Sequence, residues 1–161
     1  MAKIFKRRII REKVLQTLYA FELNNSELER HINEIFSETE NNSDKDFGFS
    51  LIYKVVANRK LFDEMIEKKT SNWEMDRIAL IDKILLRMGI CEFLFFEDIP
   101  TKVTINEMLE ISKIFSTENS SKFLNGVLDS ILDDLLKQGK VKKSGRGLID
   151  KTISKFSHKK N

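Results

Sequence analysis

Four cations crowd a turn and a half near the start of the chain: Lys6, Arg7, Arg8 and Arg11. Residues three and four apart on a helix share a face, so Arg7, Arg8 and Arg11 are predicted to project together. Guanidinium forks match phosphate oxygens in pairs, and a short Arg-rich segment is a recurring way to bind RNA. Four direct contacts to single-stranded phosphates would give a log–log salt slope of about −3, at about −0.7 per phosphate. A solvated helix start without a ligand is the competing reading. Helix stability does not explain the cluster, because cations near a helix N-terminus oppose the macrodipole.

Other chemistry is hard to assemble. His31 and His158 are the only histidines, one in an acidic helix and one near the C-terminus. With a single cysteine they cannot supply the several ligands a metal needs. Cys91 falls on an apolar helix face, where packing outweighs catalysis, and alone it forms no internal disulfide. No Gly-rich loop follows a strand, which excludes a P-loop or a Rossmann turn. No enzyme activity, cofactor or metal is expected. No apolar run approaches the roughly 18 residues of a membrane span, and the N-terminus lacks the features of a secretory signal. A soluble, cytoplasmic domain is the expectation.

A cation cluster needs a support that holds it. Behind it run Ile10, Val14, Leu18 and Phe21 at helical spacing, a stripe that burial would anchor. Helical periodicity continues along the chain, and strand alternation is almost absent. Helices are predicted near 6–23, 28–40, 46–58, 59–69, 75–96, 101–115 and 121–138. Ser26 is a candidate N-cap, and Ser71-Asn72-Trp73-Glu74 has the form of a capping box. The helix bearing Ile78, Ile81, Ile84, Leu85, Met88, Cys91 and Phe95 has so wide an apolar stripe that it should be central. Pro100 suits the first turn of the next helix. Gly126, inside the last helix, costs about 1 kcal/mol relative to alanine and suggests close packing. The fold class is all-α, a compact bundle of about seven helices in one domain over residues 1–138.

Charge is uneven. The chain carries +3, yet residues 138–161 hold eight Lys/Arg against one acid, Asp150. Residues 139–161 are therefore predicted to form a basic, flexible tail. Such a tail either raises affinity for any polyanion or only solubilises.

Four segments carry a resemblance. Arg7-Arg8-Ile9-Ile10-Arg11-Glu12 precedes Leu15-Gln16-Thr17-Leu18-Tyr19, and Ile84-Leu85-Leu86-Arg87-Met88 precedes Glu92-Phe93. Ile99-Pro100-Thr101-Lys102-Val103-Thr104-Ile105-Asn106-Glu107 runs on to Ser112-Lys113-Ile114-Phe115. Ser121-Lys122-Phe123-Leu124-Asn125-Gly126-Val127-Leu128-Asp129 completes the set. Together, and in this order over about residues 7–135, they resemble the bacterial NusB family of transcription antitermination factors. One departure concerns the loop after Phe115, where the family's glycine is replaced by Ser116.

The resemblance implies a helical fold of two small sub-bundles. It implies binding of boxA-type single-stranded RNA in nascent ribosomal transcripts, with the ribosomal protein NusE, within the RNA polymerase antitermination complex. It implies RNA contacts at Lys6, Arg7, Arg8, Arg11 and Lys122, and partner contacts at Tyr19 and Asp82. Asn106 and Glu107 are expected to bond across helices. A homodimer covering the basic surface is compatible with it. The alternative is a helical interaction scaffold whose main ligand is a protein, with RNA secondary.

Overall fold

The computed structural model describes residues 2–25, 27–70 and 72–149, with side chains at all of these except 2–5 and 72–74. Among them are eight α-helices and no strand: α1 (Ala2–Asn24), α2 (Leu28–Ile35), α3 (Asn42–Ala57), α4 (Arg59–Lys69), α5 (Asn72–Arg77), α6 (Leu80–Phe95), α7 (Thr101–Phe115) and α8 (Glu118–Lys137). A short 3₁₀ turn, Gly145–Leu148, follows. The all-α expectation holds.

The wide stripe on α6 makes it the hub, packed against α1, α3, α4, α7 and α8. Its Ile84, Leu85, Leu86, Met88, Ile90, Cys91 and Phe93 are all buried. Helices α1–α3 form one group and α4 with α6–α8 the other, and one continuous apolar core joins them. Three charged side chains cross-link the groups at one place. The buried Arg87 of α6 forks onto Asp63 of α4, at 2.7 and 3.1 Å, and donates to Glu22 of α1 at 2.8 Å.

Several boundaries differ from expectation. The helix predicted over 75–96 is two, because Ala79 is extended (φ −57°, ψ 143°). The apolar spacing runs unbroken across that step, so periodicity alone joins them. Helix α2 stops at Ile35. Helix α1 starts at Ala2, which moves the cations into its second and third turns, where the end of the macrodipole has faded. The caps expected at Ser26 and Ser71 lie outside the described residues. Gly126 is exposed with nothing near the place of a Cβ, so its expected packing role is corrected. Close approach occurs instead at Gly48, against Phe36 and Ile10, and at Gly89, against Leu128.

The expected flexible tail is also corrected over residues 139–149. Helix α8 ends in a Schellman turn: Gly139 takes φ 67°, and the amides of Gly139 and Lys140 donate to the carbonyls of Leu136 and Leu135. The chain then folds back onto the end of α6. Lys143 Nζ donates to the carbonyls of Glu92 (3.0 Å) and Phe96 (2.7 Å), where a cation also complements the helix dipole. The Ser144 amide donates to the Glu97 carbonyl at 3.0 Å. Gly147 lies so close that a Cβ there would overlap the Glu97 oxygen. Residues 150–161 lie outside the description.

Candidate nucleic-acid interface

The arginines of α1 share a face, as their spacing predicts, but that face is turned largely inward against α6 and α7. Arg11 is 2% exposed. Its Nε and Nη2 donate to Glu92 of α6, both at 2.9 Å, and Glu92 Oε1 also accepts from Thr104 Oγ1 of α7 at 2.9 Å. Burial pulls the Arg11 pKa down, but the charge and hydrogen bonds of Glu92 raise it by more, so the guanidinium stays ionised. The expected direct RNA contact by Arg11 is therefore corrected: the side chain is nearly buried, with its Nε and Nη2 committed to Glu92. Arg8 forks onto the buried Glu107 of α7 at 2.8 and 2.9 Å, and its side chain is 26% exposed. Arg8 too is committed, chiefly to a helix–helix bond.

What remains outward is the first part of the cluster. Lys6 is exposed. Arg7 lies 4.7 Å over the ring of Phe47, a cation–π contact that orients it, and 3.7 Å from the exposed Asp98. That distance is too long for a hydrogen bond, so Arg7 is steered without being saturated.

A second polar cluster surrounds the start of α8. Thr117 caps it, accepting from the Ser120 amide. Ser120 Oγ donates to Asp82 Oδ2 of α6 at 2.8 Å, and the Ser112 and Ser121 hydroxyls meet at 2.8 Å. Lys122, on the next turn, is exposed. Asp82 is 6% exposed, and its Oδ1 is buried without a hydrogen-bond partner among the described residues. Its expected direct contact with a partner is thus corrected, because the carboxylate faces the α8 terminus and not the surface. Tyr19 is 38% exposed, and Leu23, one turn on, is exposed too.

The NusB family model matches residues 8–133. A transcription antitermination protein NusB of Chloroherpeton thalassium is 43% identical over 149 residues, 91% of this chain and 71% of that protein. The chain belongs to the NusB family. The T. maritima NusB structure superposes with a TM-score of 0.74 at 36% identity, covering 80% of this chain and 91% of that one. NusB in a crystal structure of antitermination factors NusB and NusE with dsRNA shares the fold, with a TM-score of 0.73 at 24% identity over 80% of this chain and 97% of that one. Within the NusB match fall Arg8, Arg11, Tyr19, Asp82 and Lys122, whereas Lys6, Arg7 and the docked segment after α8 lie beyond it.

Sequence reasoning did not pair the arginines with acids, although Glu107 was expected to bond across helices and does so through Arg8. Glu92 lies on the core-facing side of α6 and Glu107 between buried Thr104 and Met108 of α7. Buried carboxylates require paired cations, which is the signal that could have found them. Asn106, expected to bond across helices, is exposed. Among the described residues no group of three metal-ligating side chains exists and no helix is long and apolar enough to cross a membrane. Cys91 is fully buried, and burial pushes its thiol well above the usual range. Cys91 in the folded protein is accordingly expected not to react with an aromatic disulfide reagent, with one equivalent released on unfolding in urea.

Proposed function

We propose that the chain is a transcription antitermination factor of the NusB type, a regulatory RNA-binding protein and not an enzyme, acting on nascent transcripts in the cytoplasm. It binds boxA-type single-stranded RNA of ribosomal leaders together with NusE, and through that pair joins the elongating RNA polymerase. Family membership supports this reading, and the single structural observation that carries it is the fixed helix α1 with Lys6 and Arg7 at its outer edge.

The residue roles divide accordingly. Lys6, Arg7 and Lys122 meet phosphates. Arg8 and Arg11 hold α1 in place through Glu107 and Glu92. Helix α7 gives the scale: Val103 lies near Arg7, and Ser112 touches Ser121 beside Lys122. At 1.5 Å per residue those points are roughly 14 Å apart, within reach of one short RNA strand. Tyr19 and Leu23 offer an apolar patch to NusE, and Asp82 acts indirectly by fixing the start of α8.

The test is fluorescence anisotropy with a short labelled boxA-type RNA, with and without NusE. Salt-sensitive binding that tightens when NusE is added is expected. Absence of binding under both conditions would overturn the reading.

A further inference from the structure

A groove of about 500 Å³ opens beside the outer edge of α1. Its walls include Arg7 and the largely buried Arg11 of α1, Asp98 and Pro100 of the loop before α7, Val103 of α7, and Arg146 and Ile149 of the docked C-terminal segment. We propose that this groove takes a single unpaired RNA nucleotide, its phosphate on the Arg7 and Arg146 guanidiniums and its base against Pro100, Val103 and Ile149. The inference rests on the RNA-binding reading above and adds to it a C-terminal wall, Arg146 and Ile149, that lies past residue 133, where the family match ends.

Three observations support it. The volume lies in the range of small-molecule pockets, roughly 300–1,000 Å³. The lining combines three arginines, Arg11 nearly buried and Arg7 and Arg146 more open, with apolar side chains, and single-stranded RNA is recognised by splaying bases onto side-chain faces while cations hold the backbone. Arg146 is exposed, and no carboxylate among the described residues pairs with its side chain. The one acid in the groove, Asp98, is 62% exposed and only loosely engaged with Arg7. A carboxylate there can accept a hydrogen bond from a base amino group such as cytosine N4, which disfavours a simple anion site and favours a base with a donor edge.

The segment that supplies Arg146 is built to stay. Lys143 and the Ser144 amide anchor it to the end of α6, and the absence of a side chain at Gly147 lets the 3₁₀ turn sit on the Glu97 carbonyl. Helix α6 therefore holds both sides of the groove: Arg11 and α1 through Glu92's carboxylate, and the C-terminal wall through Glu92's own carbonyl.

The experiment titrates the full chain, as wild type, Arg146→Ala and Gly147→Ala, with a labelled single-stranded boxA-type RNA and with copies carrying one abasic position each. Wild type is expected to lose affinity at one abasic position. Arg146→Ala should bind intact RNA about threefold to tenfold more weakly, with the salt slope reduced by about 0.7. Gly147→Ala should weaken binding comparably by lifting the wall, and both variants should erase the abasic effect. Wild-type RNA affinity in both folded variants overturns the groove assignment and leaves the family function standing. So does an effect confined to NusE binding, which would mark a protein site. Weakened binding without any base-sensitive position overturns the nucleotide pocket in favour of a bare phosphate contact. If wild type itself binds no RNA, the functional reading falls and takes the groove with it.

Discussion

Replacing Glu92 with alanine is expected to lower the unfolding free energy by about 3–5 kcal/mol, the range for stranding one member of a buried ion pair. Glu92 is fully buried, and its loss leaves the Arg11 guanidinium without an acceptor and Thr104 Oγ1 without its partner. At the usual scaling for a chain of this size the midpoint of thermal unfolding falls by about 10 °C, readable by circular dichroism. The double replacement Arg11→Met with Glu92→Leu is expected to recover most of that loss, because removing both charges also removes their desolvation penalty. A single Glu92→Ala variant within about 1 kcal/mol of wild type would mean that water or another donor reaches the site.

The same double variant separates scaffold from ligand contact. It is expected to keep RNA affinity and salt slope nearly unchanged, since Arg11 is only 2% exposed and its Nε and Nη2 are held by Glu92. Lys6→Ala combined with Arg7→Ala is expected to reduce the slope by about 1.4, at about 0.7 per phosphate, and to weaken binding by about tenfold or more at physiological salt. Lys6 is exposed and Arg7 only covers the edge of the core at Phe47, so the folded state should persist. Arg8→Ala is a poor probe, because it would leave the buried Glu107 unpaired and destabilise the protein before RNA is added. Retained affinity in the Lys6/Arg7 variant would relocate the phosphate contacts to Lys122 and the C-terminal segment.

The elements were largely legible because apolar spacing is a local property. The stripe on α1 faces the core, as does that on α6 apart from the exposed Phe95, and α6 is central, as its wide stripe required. Depth was not legible in the same way. The spacing of Arg7, Arg8 and Arg11 establishes a common face but not what that face meets, and the acids that meet it lie 81 and 99 residues away. One local sign was present: Arg11 is three residues before Val14 and four before Leu15, both buried, so it belongs to the stripe. The docking of residues 139–149 was invisible to composition, because it depends on one lysine reaching helix carbonyls and one glycine permitting a close approach.

Two forks on neighbouring turns of α1, one seated on α6 and one on α7, leave that helix a single registration. Sliding it by one turn, 5.4 Å, would strand both guanidiniums in the interior. The basic ridge is consequently preorganised before any nucleic acid arrives. Little ordering entropy remains to be lost at the encounter, so a modest number of contacts can yield useful affinity.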